Sequence, residues 1–220
     1  MDSYIVLEGP DFAGKSSLIA FIAEQLQARG VEVEVVREPG GTPFAEAMRE
    51  SVLCGEYNPS QEAELFAMLA ARADLFHKRI LPALEQGKVV LGDRGSPSTD
   101  IYQCGNDDVL RDMFLRYKKI AAPITPLYVF LELDYETYLE RRNARAAEGQ
   151  ALDAIEKRYT ERSKYEALMS SYRQAAAREQ NVLIVNVVGK TIEQIYNELW
   201  PYLRCEAQLS VGGPRECDPA

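Results

Sequence analysis

The stretch that most constrains this chain is Gly9-Pro10-Asp11-Phe12-Ala13-Gly14-Lys15-Ser16, because it fits the pattern Gly-x-x-x-x-Gly-Lys-Ser. It stands between a short apolar run, Tyr4 to Leu7, and a helix-like stretch, Leu18 to Gln27. Strand, glycine loop and helix in that order make a phosphate-binding P-loop. Glycines let the loop backbone curl until its N–H groups converge on phosphate oxygens, and the positive end of the following helix points to the same place. Lys15 is then expected to reach the β- and γ-phosphates from an exposed position in the loop, and Ser16 to put its hydroxyl on Mg²⁺.

The rest of the chain alternates in the same way. Val31 to Val36 read as a second strand, and Phe44 to Leu53 as a helix started by Thr42 or Pro43. Ser60 is a cap for a long helix from Gln61 to about Leu84, with Leu65, Met68, Leu69, Arg72, Leu75 and Phe76 at spacings of three and four. Lys88 to Gly92 form a strand that runs into Asp93-Arg94, and Leu127 to Leu133 are apolar nearly throughout, as in the interior of a parallel sheet. Tyr135 to Arg178 read as helical with a break near Glu148-Gly149-Gln150. Val182 to Val188 are a last strand and Ile192 to Leu203 a last helix. This order predicts an α/β fold, a doubly wound parallel sheet of about five strands flanked by helices. The site is expected at the carboxyl ends of the strands, where the P-loop, Arg37, Asp93 and Arg94 all fall.

At 220 residues, one domain over residues 1–204 is expected, followed by a disordered tail over 205–220 rich in Gly, Pro and polar groups. A net charge of -9 argues against a nucleic-acid partner, and no apolar run approaches the ~20 residues of a membrane span. Residues 1–8 lack a basic n-region and a cleavage site. Cys54, Cys104, Cys205 and Cys217 show no C-x-x-C spacing. They read as free thiols of a reducing, cytoplasmic compartment.

Five blocks then carry a resemblance. They are Glu8 to Ser17; Arg37-Glu38-Pro39-Gly40-Gly41-Thr42 with Glu46 and Arg49; Ala70-Ala71-Arg72; Gly92-Asp93-Arg94 with Ser98 to Gln103; and Leu152 to Glu156. In this order the chain resembles the thymidylate kinase family of P-loop nucleoside monophosphate kinases. The resemblance implies transfer of a phosphoryl group from ATP to dTMP with Mg²⁺, and a homodimer formed through helices. Gly9, Pro10, Asp11, Phe12, Ala13, Gly14, Lys15, Ser16 and Ser17 would hold ATP together with Arg141, with Lys15 catalytic. Asp11 would reach the sugar or phosphate of the acceptor, Arg49 and Arg94 its 5′-phosphate, and Asp93 would support the metal that Ser16 ligates. Forked guanidiniums suit bidentate capture of phosphate oxygens.

The resemblance also assigns the base pocket. Arg72 would contact thymine, Ser98, Thr99 and Gln103 would approach the acceptor nucleotide, and Tyr102 would crowd the 2′ position and favour deoxyribose. Met68 stands where the family usually has phenylalanine, and Gly95 where it often has an aromatic, so the pocket is expected to be more open and adaptable. Many cellular members carry an arginine inside the P-loop; here that slot is Phe12. A helical lid over about residues 141–153 should then supply the charge through Arg141, Arg142 and Arg145, with Arg145 the catalytic contact. Ala154 stands where the lid motif has an arginine. Two other readings follow from the same residues: a kinase for dUMP or a 5-substituted pyrimidine deoxynucleotide, and a P-loop regulatory ATPase or switch.

Overall fold

Each apolar run of the sequence becomes a strand of one parallel sheet in the order β2-β3-β1-β4-β5. The computed structural model describes residues 3–121, 124–147, 149 and 159–210. The strands are β1 (Tyr4–Glu8), β2 (Val33–Arg37), β3 (Val89–Asp93), β4 (Leu127–Glu132) and β5 (Val182–Asn186). Central β1 is buried along its whole length between β3 and β4, which is why it is apolar at successive positions rather than alternating. The edge strands β2 and β5 keep Val35 and Ile184 exposed.

Helix α1 (Lys15–Gln27) follows the P-loop and buries Leu18, Ile22 and Leu26 at a spacing of four. Removing three such side chains from water stabilises the fold by about 1.5–3 kcal/mol each. Helix α2 (Pro43–Leu53) starts as expected, with Thr42 Oγ1 accepting from Ala45 N and proline at the first helical position.

The long helix predicted from Gln61 to Leu84 is instead three pieces: α3 (Gln61–Leu75), a π-helical turn (Phe76–Ile80) and α4 (Leu81–Glu85). Pro82 has no N–H to give the carbonyl four residues back, at Lys78, and the wider turn lies at that carbonyl. Beyond β3 come α5 (Ser96–Thr99), a second π-helical turn (Asp100–Cys104) and α6 (Asp108–Ala121). No helix was expected at α6. Its signal was present, since Asp107 Oδ1 caps the N–H groups of Val109 and Leu110, and Leu110, Phe114 and Tyr117 follow at helical spacing. Together with Leu65 and Leu69 of α3 they make a second small core beside the main one.

Helices α7 (Tyr135–Ala147) and α8 (Arg162–Arg178) occupy the two sides of the predicted break. Residues 148 and 150–158, which include the last part of the expected lid and the Asp153, Ala154 and Glu156 that follow, lie outside the described residues. Helix α9 (Ile192–Ser210) runs past the expected end at Leu203 and takes in the first part of the expected tail. Residues 211–220 also lie outside the described residues. None of the described helices is long and apolar enough to cross a membrane.

Candidate active site

The parallel strands bring the loops after β1, β2 and β3 to one edge of the sheet, and the P-loop forms the centre of that edge. Gly9, at φ 139, could not carry a Cβ, which would come 2.6 Å from the Leu131 carbonyl oxygen. Gly14 takes φ 91 and caps α1. Lys15 differs from expectation. It is the first residue of α1 and only 7% exposed, with Nζ donating to Gly9 O at 3.0 Å and Pro10 O at 2.8 Å. Burial, joined by the nearby charge of Arg94, pushes the ammonium down to about 8, against the pull of Asp11, Asp93 and Glu8.

Ser16 Oγ donates to Asp93 Oδ2 at 2.7 Å, which joins the two residues expected at a metal across 77 positions of sequence. A hydroxyl and one carboxylate are hard oxygen donors of the kind Mg²⁺ accepts when phosphates and water complete its shell. Among the described residues no cluster of three or more His, Cys, Asp or Glu could hold a metal. The residues present therefore fit Mg²⁺.

Beside the P-loop lies a cavity of about 100 Å³. Its wall contains Asp11, Arg49, Met68, Arg72, Arg94, Ser98, Thr99, Tyr102 and Gln103, all the residues that the sequence assigned to the acceptor. Gly95 lines it through its backbone, while a Cβ there would turn toward Val6, at 3.1 Å, and Tyr128.

Arg94 is the hinge of the two halves. It adopts a left-handed backbone at φ 69 and donates to Gly9 O at 3.2 Å, Ser98 Oγ at 3.3 Å, Tyr172 Oη at 2.9 Å and the Asp11 carboxylate. Burial alone would raise the Asp11 carboxyl, but Arg94 and then Lys15 outweigh it and hold Asp11 below its ordinary range. Arg72 is buried. Its Nε donates to Glu38 Oε2 at 2.5 Å and one terminal nitrogen to Thr99 Oγ1 at 2.9 Å. The other, Nη1, is buried with no hydrogen-bond partner among the described residues.

Three residues were not singled out for roles. Glu38 neutralises Arg72 inside the wall. Glu8, at the end of β1, accepts from Gly95 N at 2.7 Å and from Ser98 Oγ at 2.7 Å, and so pins the turn that carries Arg94 and Ser98. Burial raises its carboxyl despite Arg94, Ser98, Gly95 and Lys15. Tyr172 of α8 meets Arg94 and sits 3.1 Å from the Tyr102 hydroxyl. Glu8 and Glu38 lay within blocks that were quoted, but Tyr172 had no local signal.

The other arginines that the sequence singled out lie around these residues. Arg37 is half exposed and pairs with Glu46 at 2.7 Å outside the cavity wall. Arg49 donates to Pro39 O at 3.2 Å. Of the lid residues, Arg141 donates to Phe12 O and Ala13 O at 3.1 and 3.2 Å, and the Arg145 guanidinium lies 5.5 Å from the centre of the Phe12 ring. Arg142 buries its Nε without a partner among the described residues.

A P-loop has no need of a second cavity with three arginines in its wall if it only hydrolyses a nucleotide; fold and site together define the class of P-loop nucleoside monophosphate kinases. Comparison with known proteins takes the identification one step further. A sequence model of the family described as thymidylate kinase matches residues 7–199. A thymidylate kinase of Idiomarina loihiensis is 36% identical over 186 residues, covering 83% of this chain and 88% of that one. One of Pseudomonas syringae pv. syringae is 39% identical over 177 residues, covering 74% and 82%. The crystal structure of thymidylate kinase from Ehrlichia chaffeensis superposes with a TM-score of 0.68 at 22% identity, covering 92% of this chain and 98% of that one, and so shares the fold. This chain belongs to the thymidylate kinase family.

Proposed function

We propose that the protein transfers the γ-phosphoryl group of ATP to the 5′-phosphate of dTMP, giving ADP and dTDP, with Mg²⁺ held at Ser16 and Asp93. The bond from the γ-phosphorus to the β-bridging oxygen breaks as a dTMP phosphate oxygen forms the new one. Bound Mg²⁺ would neutralise phosphate charge. The chain's own residues do the positioning. The P-loop N–H groups and Lys15 hold the donor phosphates, Arg94 and Arg49 orient the acceptor phosphate in line, and Arg145 meets the charge that develops on the transferring group.

The observation that carries this reading is the buried Arg72 Nη1, without a hydrogen-bond partner among the described residues, in the wall of a cavity that also holds Met68 and Gln103. An unmet buried donor costs about 1–3 kcal/mol, which a pyrimidine carbonyl would recover. Tyr102 lines the same cavity with its hydroxyl 3.1 Å from that of Tyr172, and would crowd a 2′-hydroxyl there.

The flexible thioether at Met68 supports a second reading, in which the pocket also takes dUMP or a 5-substituted dUMP. A coupled ADP-release assay across deoxy- and ribonucleoside monophosphates separates the readings. Highest kcat/KM with dTMP is expected; preference for another pyrimidine establishes the second reading, and equal ADP release without any acceptor removes both in favour of a regulatory ATPase. We further propose a cytoplasmic homodimer that covers the exposed Phe66 of α3 and Val109 and Met113 of α6. A monomeric mass by light scattering at micromolar concentration would remove that part.

A further inference from the structure

We propose that Phe12 is a positioning residue that seats the lid arginine Arg145 over its ring, and so supplies indirectly the charge that the P-loop itself lacks. The proposal rests on the reading of Arg145 as the group that meets the transferring phosphoryl.

Tyr138, Arg141 and Arg145 are spaced by three and four, so they share one face of α7. All three meet the P-loop at or beside Phe12. The Phe12 and Tyr138 rings pack edge to face with centroids 5.5 Å apart and planes at 70°. Arg141 donates to the carbonyl oxygens of Phe12 and Ala13. The Arg145 guanidinium lies over the Phe12 ring at 5.5 Å.

The backbone at Phe12 has φ 65, a left-handed conformation that bulky side chains rarely adopt and that glycine would take without strain. A P-loop position with this backbone has little reason to hold phenylalanine unless the ring has a task. The face of an aromatic ring attracts a guanidinium through its quadrupole, and more weakly than a carboxylate would. A seat of that strength holds Arg145 near Asp11 and still lets it turn to a phosphoryl oxygen. Asp11 also feels Arg145 among the charges that lower its carboxyl, after the larger effects of burial, Arg94 and Lys15. Phe12 itself touches no reacting atom.

The test is steady-state kinetics with ATP and dTMP on the wild type, Arg145→Ala, Phe12→Ala, Phe12→Leu, Phe12→Tyr and the Phe12→Ala/Arg145→Ala double variant, each checked for folding by its melting curve. Loss of the ring face is expected to lower kcat about 3- to 10-fold with the dTMP KM within about twofold. Phe12→Leu, which keeps apolar packing on Tyr138, should fall as far as Phe12→Ala. Phe12→Tyr should recover most of the loss. In the Arg145→Ala background, Phe12→Ala should cost nothing further. If Phe12→Ala slows the Arg145→Ala enzyme by the same factor as the wild type, or if Phe12→Leu is fully active, the ring merely packs and the seat is overturned. Should Arg145→Ala alone leave kcat unchanged, the lid-arginine reading itself fails, which is visible without any Phe12 variant.

Discussion

Arg72→Met separates what the buried Arg72–Glu38 pair does for the fold from what it does for the acceptor base. Both side chains are at least nine-tenths buried, and Nε meets Oε2 at 2.5 Å. Removing the arginine leaves the Glu38 carboxylate without its counter-charge in the cavity wall. Breaking such a pair costs about 3–5 kcal/mol. At roughly 2–4 °C per kcal/mol for a chain of this size, the melting temperature should fall by roughly 10 °C. Adding Glu38→Gln removes the stranded charge and should return more than half of that. The dTMP KM should behave differently. The proposed contact from Nη1 to the base would be a hydrogen bond from a charged group, worth about 1.5–3 kcal/mol, so the KM should rise about 10- to 100-fold in both the single and the double variant, with the ATP KM unchanged. Thermal unfolding and initial-rate kinetics on the two variants read the two effects separately. A double variant that regains stability and keeps the wild-type KM for dTMP would refute the assignment of Arg72 to the base. A single variant that melts within about 2 °C of the wild type would refute the energetics of the pair.

Lys15→Ala should lower kcat about 10²-fold or more and leave the melting temperature nearly unchanged, because the ammonium is held against a burial penalty; unaltered turnover in the folded variant would remove the central claim. The same depressed Lys15 sets a pH dependence. As pH rises through about 8 the free enzyme loses the Nζ proton, so kcat/KM for ATP should fall above that pH while kcat, measured with phosphates already around Nζ, holds to higher pH; a flat kcat/KM up to pH 10 would contradict it. Arg94→Lys should weaken dTMP use far more than ATP affinity, since a point charge cannot reproduce a fork that now spans Gly9, Ser98, Tyr172 and Asp11; equal damage to both nucleotides would place Arg94 in the wrong pocket. Arg145→Ala should lower kcat about 10²-fold with little change in the dTMP KM, as for a contact made mainly in the transition state, and an effect confined to the ATP KM would make it a ground-state clamp.

The parts of this protein legible from sequence are those whose physical cause is local or periodic. Gly9, Gly14, Lys15 and Ser16 are fixed in number and spacing by the geometry of a backbone curling round phosphate, so the P-loop could be read directly. Strands β1 and β4 declared themselves because both faces of a central parallel strand must be apolar. Met68, Arg72, Thr99, Tyr102 and Gln103 were placed by resemblance of short blocks, and the structure gathers them round one cavity. Tertiary structure alone decided the rest. Lys15 is buried, with Nζ turned back onto the Gly9 and Pro10 carbonyls and feeling Asp93 and Arg94 from the end of β3, a neighbourhood that the loop residues alone do not announce. Glu8 clamps Gly95 and Ser98 from 87 and 90 residues away, Tyr172 reaches Arg94 across 78, and Arg141 reaches Phe12 across 129. Those separations are closed by the order of the strands, with β3 and β4 on either side of β1, and by the way α7 and α8 pack beside them. Hydrophobic period tells which face of an element is buried, but only the assembled sheet decides which polar group of one element meets which of another.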